Sequence, residues 1–190
     1  MPQQTEAGRL LIAASIPEMI EAFLLPYARH MRSLGWRVDA LANGVSASPQ
    51  CRAAFDHVYD IDWSRNPLDP RNLIRLPADI RELVQLNRYH VVHVHTPVAG
   101  FVVRFAPRRQ KEPRVVYTAH GFHFHRSGGR LRNAAFQSVE KLAGRWTDEL
   151  IVINSEDHEA ARALHIVPTG HLHLHPGIGI DLERIRFEAM

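Results

Sequence analysis

Short apolar runs alternate with stretches of helical spacing along nearly all of this 190-residue chain, and that rhythm limits the fold to one class. Arg9 to Ser15 (RLLIAAS) is the first apolar run. From Glu18 to Leu34, the residues Ile20, Phe23, Leu24, Tyr27, Ala28, Met31 and Leu34 recur at helical spacing, so strand is followed by helix. Gly35 follows as a C-cap, and Trp36 to Ala42 (WRVDALA) supplies a second strand ending at the Asn43-Gly44 turn. Pro26 falls inside the helical stretch. The helix either kinks there or starts there, with residues 18 to 25 as a preceding helical turn.

A third strand covers His57 to Ile61, and the loop Ser64 to Pro70 leads into a periodic stretch from Leu73 to Leu86. Val91 to His95 (VVHVH) is the clearest strand. It runs into Thr96-Pro97, where proline ends the ladder and Val98 to Pro107 restarts as a helix. Arg114 to Ala119 is the next strand, followed by a polar, glycine-containing loop, a helix over Leu131 to Trp146, a strand over Glu149 to Ile153, and a helix over Glu156 to Leu164 capped by Ser155. His171 to Leu174 closes the series. Strands alternating with helices in this way make βαβ units, right-handed crossovers and a mainly parallel sheet covered on both faces, a Rossmann-like α/β fold. The domain is expected over residues 1–176. The tail from Gly177 to Met190 reads as a connector to a further domain.

With 45% apolar residues the chain can bury a sizeable core. The formal charge is only +3, so no nucleic-acid partner is expected. The lone Cys51 excludes an internal disulfide framework, no signal peptide is recognisable, and no apolar stretch is long enough to span a bilayer. A cytoplasmic setting is expected, with peripheral attachment to the inner face of the membrane left open.

In an open α/β sheet the ligand crevice lies at the carboxyl ends of the strands. The residues to weigh are Ile16-Pro17-Glu18, Asn43-Gly44, His95-Thr96-Pro97, His120-Gly121, Asn154-Ser155 and His175-Pro176-Gly177. The first turn holds no glycine, so the backbone approach to a dinucleotide pyrophosphate is missing, and no P-loop or nucleophile elbow occurs.

Thirteen histidines crowd the second half. His93 and His95 share one face of their strand, as do His171, His173 and His175. Such a set can bind zinc or copper, or can simply be hydrogen-bonded strand-end histidines. With no H-E-x-x-H, no cysteine ligand and no carboxylate placed among them, no metal is expected. His120, in YTAHGFHF, can donate to a phosphate or sugar hydroxyl or relay a proton. It can equally cap the strand end while Phe122 and Phe124 pack under the loop. Arg104, Arg108, Arg109 and Lys111, interleaved with Phe101, Val102, Val103 and Phe105, either rest on an anionic membrane or form a solvated face. Arg104, Arg108 and Arg109 are the candidate membrane contacts. A second basic group, Arg126, Arg130 and Arg132, follows the histidine loop.

Taken in order, the segments VVHVHTPVAG (91–100), VYTAHGFHF (116–124), TDELIVINSE (147–156) and HPGIGIDLERI (175–185) resemble the family 4 glycosyltransferases, especially the bacterial capsular and exopolysaccharide enzymes with two Rossmann domains. The opening ASIPEMIEAFLLPYARHMRSLGW (14–36) is also similar to the family's first turn and helix. The resemblance implies retaining transfer from a nucleotide sugar, with no other cofactor. The N-terminal domain would hold a glycan or lipid-linked acceptor and a C-terminal domain or subunit would hold the donor. It further implies that His120 contacts the donor sugar or phosphate near the reaction centre. Pro17, Glu18, His95, Thr96, Gly121, His123, Asn154 and Ser155 would line the interdomain cleft as substrate contacts.

Family members run to about twice this length, and the donor-binding region would lie in the further half. The chain is therefore expected to be inactive alone. The competing reading is a non-catalytic Rossmann-like module that docks a partner subunit. A flavodoxin-like or response-regulator-like domain fits less well, because the strand ends carry neither an acidic phosphorylation pocket nor an FMN loop.

Overall fold

The computed structural model describes residues 7–64, 69–108, 111–125 and 128–177. Seven strands, β1 (Gly8–Ala13), β2 (Trp36–Ala42), β3 (His57–Asp60), β4 (Val91–His95), β5 (Arg114–Ala119), β6 (Glu149–Val152) and β7 (Leu172–Leu174), form one sheet in the order β3-β2-β1-β4-β5-β6-β7. Every pairing is parallel, with Ile12 opposite both Ala40 and His93, and His95 opposite Thr118. All seven carboxyl ends therefore lie along one edge. The order reverses between β1 and β4, and that reversal is where an open α/β sheet leaves its crevice.

Alternation along the strands sorts the core into two layers. Leu10, Ile12, Val38 and Ala40 pack with Ile20, Leu24, Leu25, Ala28, Cys51 and Ala54 of α1 (Pro17–Phe23), α2 (Leu25–Ser33) and α3 (Pro49–Ala54). Leu11, Leu41, Val92, Val94, Tyr117, Leu150 and Val152 face the other way. There they meet α4 (Leu76–Asn87), α5 (Pro97–Phe105), α6 (Arg130–Gly144) and α7 (Ser155–Leu164). One close approach depends on glycine: a Cβ on Gly144 would sit 1.9 Å from the carbonyl oxygen of Ile166.

Pro26 resolves as a helix start. It has no N–H to give to an earlier carbonyl, so α1 ends at Leu24, whose N–H donates to Ile20 O at 2.8 Å, and α2 restarts with Pro26 in its first turn. Gly35, at φ +84°, follows α2 as expected. Most element boundaries shift slightly from the sequence reading, and three differences have a local cause or consequence. A six-residue helix, α3, fills part of the stretch before β3, with the Ser48 side chain accepting from Cys51 N. The cap of α7 is Asn154 rather than Ser155. His171 belongs to a tight turn before β7 rather than to the strand. Residues 178–190, most of the expected connector, lie outside the described residues.

Candidate active site

At the reversal point the ends of β1 and β4 are joined through two hydroxyls. Ser15 N–H donates to Thr96 Oγ1 at 3.1 Å, and the two side-chain oxygens stand 2.7 Å apart. Thr96 is held at φ +72°, ψ 144°, a region a β-branched residue rarely occupies. Strain of that kind, about 1–3 kcal/mol, persists only where the surroundings over-determine it. Here Thr96 also supplies the carbonyl that accepts from Gly100 N at 2.8 Å and opens α5.

Beside this joint lies a run of three imidazoles. His93 and His95, two apart on β4, have ring centroids 4.2 Å apart. His95 Nδ1 is 3.0 Å from His120 Nε2 at the end of β5, and His93 Nε2 is 2.8 Å from Thr118 Oγ1. Phe23 of α1 stacks on His120 and Tyr27 of α2 meets His93 edge-on. Burial pushes His93 down to about 4, with the His120 charge adding to it. It pushes His95 well below its ordinary value and lowers His120 as well. The cluster is neutral at pH 7, so each ring offers one N–H and one lone pair. Once His95 and His120 have bonded to each other, His95 Nε2 and His120 Nδ1 remain buried without a protein partner.

The loop after His120 divides the candidate residues between two sides. Gly121 sits at φ +141°, a conformation that L side chains rarely adopt, and turns the chain so that Phe122 goes inward. His120 faces Phe23 and His95. His123 faces the other way, edge-on to Phe136 of α6 at 5.3 Å. Gly121 and His123 thereby line an apolar cavity of about 420 Å³ walled by Pro97, Val98, Phe101, Phe122, Phe136 and Val139.

One residue absent from the sequence reading fixes this loop. Asp157, buried in the first turn of α7, accepts from Phe122 N at 3.3 Å and from Asn154 Nδ2 at 2.8 Å, while its own N–H donates to Asn154 Oδ1 at 2.8 Å. Asn154 is thus a helix cap tied to the β5 loop. The spacing of Asn154 and Asp157, a cap and the third helical position, is a capping-box pattern and was readable in the chain. Pro17 and Glu18 open α1 after β1, Glu18 exposed, and Ser155 is exposed at the start of α7. The structure brings His95, Thr96 and His120 together. It places His123 on the cavity side of the loop.

The basic patch on α5 is corrected by burial. Arg104 is 0% exposed, so it cannot touch a membrane. Its Nε donates to Gly100 O at 2.8 Å, its Nη2 pairs with Glu140 at 3.0 Å, and its guanidinium lies 4.0 Å over the Tyr117 ring. Arg108 is half-buried and lies 3.6 Å over the Phe105 ring of its own helix. Arg109 lies outside the described residues. At the opposite, amino end of the sheet, His171 and His173 share the Glu149 carboxylate at 3.1 and 2.8 Å, and their hydrogen bonds hold it below the usual carboxylate range. No helix among the described residues is long and apolar enough to cross a membrane.

A family model described as a glycosyl transferase 4-like domain matches residues 20–177. The Bacillus subtilis protein named as the glycosyltransferase EpsD is 36% identical over 180 residues, covering 94% of this chain and 46% of its own length. An Escherichia coli protein named UDP-Gal:alpha-D-GlcNAc-diphosphoundecaprenol alpha-1,3-galactosyltransferase is 30% identical over 118 residues, covering 58% of this chain and 30% of its own. Among solved structures, a UDP-GlcNAc 2-epimerase from Neisseria meningitidis superposes with a TM-score of 0.63 at 13% identity, covering 87% of this chain and 45% of that one. A sucrose-phosphate synthase from Thermosynechococcus elongatus gives 0.60 at 17%, covering 88% and 48%. These structures share the fold, and the chain spans about half the length, or less, of the curated relatives it matches. Seven parallel strands with their switch point at β1 and β4, the strand-end histidines and a match over residues 20–177 converge on one assignment: the chain belongs to the glycosyl transferase 4-like domain family.

Proposed function

We propose that this chain is the acceptor-side domain of a retaining glycosyltransferase that moves a sugar from a nucleotide sugar to a glycan or lipid-linked acceptor in cell-surface polysaccharide synthesis. A second half would hold the donor, and the reaction would take place at the inner face of the membrane. The observation that carries this reading is His120, presented at the end of β5 and held 3.0 Å from His95 beside the β1/β4 switch point. A neutral imidazole there can donate to a sugar hydroxyl or a phosphate oxygen without the cost of burying a charge. Thr96, Pro17 and Glu18 would face the acceptor from the ends of β4 and β1. The start of α5 turns backbone N–H groups toward the same crevice, which favours an anionic group such as a diphosphate.

The apolar cavity beyond Gly121 and His123 fits the first isoprene units of a lipid-linked acceptor better than a free glycan, since its walls offer few hydrogen-bond partners for hydroxyls. Titration of the isolated chain with a short-chain prenyl-diphosphate N-acetylglucosamine, followed by NMR at the His120 ring and the amides of residues 121–123, tests the reading. Saturable shifts with this ligand and none with a UDP-sugar are expected. Shifts with the UDP-sugar and none with the prenyl ligand would sink it.

A further inference from the structure

A second cavity, of about 410 Å³, opens between β3 and α4 at the carboxyl edge of the sheet. Leu41, Tyr59, Ile61, Leu76, Ile80 and Leu83 form its floor. Its rim carries Asp60 at the end of β3, Asp62 just after it, Arg71 and Arg75 from the helical turn Arg71–Arg75, and Asp79 in the first turn of α4. All five are exposed. The rim is pre-arranged by its own bonds. Arg71 reaches Asp62 and Asp69, each at 2.9 Å, and Arg75 Nε lies 3.7 Å from Asp79. Asp60 accepts from Ser46 N at 2.9 Å and from the Ser46 hydroxyl. The turn Arg71–Arg75 separates this cleft from the apolar cavity beside His123, since Asn72 and Leu73 line that cavity while Arg71 and Arg75 line this one. Trp63, whose Nε1 donates to Ala14 O at 3.2 Å, ties the chain after β3 to the end of β1.

We propose that this cleft binds a neutral carbohydrate, a short run of pyranose rings, at a place separate from the β1/β4 crevice. The charges select the class by elimination. Three carboxylates line the cleft against two guanidiniums that already have partners, so a phosphate or another anion would meet net repulsion. A cation would meet Arg71 and Arg75, and no group of His, Cys, Asp and Glu among the described residues is placed to hold a metal ion. An aliphatic chain would take water from the charged rim without replacing its hydrogen bonds. A pyranose meets every requirement. A carboxylate bonded to one arginine keeps lone pairs for hydroxyl hydrogens, a guanidinium presents N–H groups in a fork that matches vicinal hydroxyl oxygens, and the C–H face of the ring rests on Tyr59, Ile61 and Leu83. The volume lies within the roughly 300–1,000 Å³ of small-molecule sites, and a rim already held by ion pairs has little freedom left to lose on binding. The sugar comes either from the glycan of an acceptor reaching past the turn Arg71–Arg75 or from a free oligosaccharide, and both present the same hydroxyls. The inference goes beyond the transfer reading and requires nothing of His120.

Titration of the isolated chain with methyl β-D-glucopyranoside and with N,N′-diacetylchitobiose, followed by NMR of the backbone amides and the Ile and Leu methyl groups, tests it. Saturable shifts are expected at residues 59–62 and 75–83, with a Kd on the order of 1 mM for a single ring. Added salt should leave the affinity unchanged, because the ligand carries no charge. Asp62→Asn with Asp79→Asn should weaken binding about tenfold, and Leu83→Trp, which fills the floor, should abolish it. The two aspartates are exposed, so the thermal melt of the double variant should match the parent. His120→Ala should leave this binding intact, so its failure and that of the transfer reading are read separately. A prenyl-diphosphate-linked disaccharide that shifts this cleft and the apolar cavity together assigns the sugar to an acceptor, whereas equal binding of the free disaccharide assigns it to a free oligosaccharide. Absence of saturable shifts with either sugar, shifts confined to His95, Thr96 and His120, or binding that both variants leave intact overturns the inference. Tighter, salt-sensitive binding of inorganic pyrophosphate at Arg71 and Arg75 overturns it too, by assigning the cleft to an anion.

Discussion

His95 Nδ1 and His120 Nε2 stand 3.0 Å apart, so one imidazole donates its N–H to the other and each fixes the tautomer its neighbour can adopt. Under the proposed function, His120 would meet substrate with a defined ring orientation, and His95 would be the residue that positions it. In an enzyme assembled with a donor half, His120→Ala should cost about 10²–10⁴-fold in kcat, the usual contribution of a group that moves or shares a proton. His95→Ala should cost less, with His95→Asn recovering part of the loss, because an amide can still bond toward His120. Steady-state rates of the three variants check this ordering.

Acid should unfold the domain through the same cluster. An unfolded histidine takes up its proton near pH 6.5, whereas His93 in the fold resists protonation down to about 4 and His95 lies well below its ordinary value. Below pH 6.5 the unfolded chain therefore binds more protons than the native one, and stability falls as pH falls. The two rings should each contribute a slope of about 1.4 kcal/mol per pH unit, with no such contribution above pH 7. Urea titrations between pH 7.5 and 5, with His93→Gln as the comparison, should show the slope reduced by one ring's share.

Arg104 and Glu140 form a buried pair whose halves are not equivalent to the whole. Glu140→Ala leaves the fully buried Arg104 guanidinium without its counter-charge and should cost about 3–5 kcal/mol. Replacing both, as Arg104→Met with Glu140→Leu, should cost far less, since neither charge then needs to be desolvated. Chemical denaturation of the single and double variants measures the difference.

Asp157 links the start of α7 to the loop carrying His120. Asp157→Ala removes the acceptor for Phe122 N and loosens the Asn154 cap, at about 1–2 kcal/mol. Hydrogen exchange at the Phe122 amide should speed up more than exchange in β4. A uniform increase across the sheet would mean that Asp157 acts on global stability alone.

The α/β class was legible because parallel strands buried on both faces read as continuous apolar runs, and VVHVH stopped by Thr96-Pro97 was the clearest of them. α3 escaped because six residues are under two turns, too short for a helical period to show, although Ser48-Pro49 is a helix-start signal. Arg104 was misread for a different reason. Adjacent in the chain to Arg108 and Arg109, it looked like part of a basic surface. Its fate is set by Glu140, 36 residues away, and by the Tyr117 ring of β5. Nothing local to residue 104 records those contacts. His95 and His120 were each recognisable as strand-end histidines, but their bond depends on β4 and β5 being neighbours in register, with His95 opposite Thr118.

The central claim, an acceptor domain whose chemistry is completed by a donor-binding half, is tested most directly by turnover. Joining this chain to the second half of the Bacillus subtilis relative and assaying transfer from a panel of nucleotide sugars to prenyl-diphosphate-linked sugars provides the measurement. The account predicts transfer with retained anomeric configuration in the joined protein, none from this chain alone, and a loss of at least about 100-fold with His120→Ala. Transfer by the joined protein that His120→Ala leaves unchanged, or turnover by the chain alone, would contradict it.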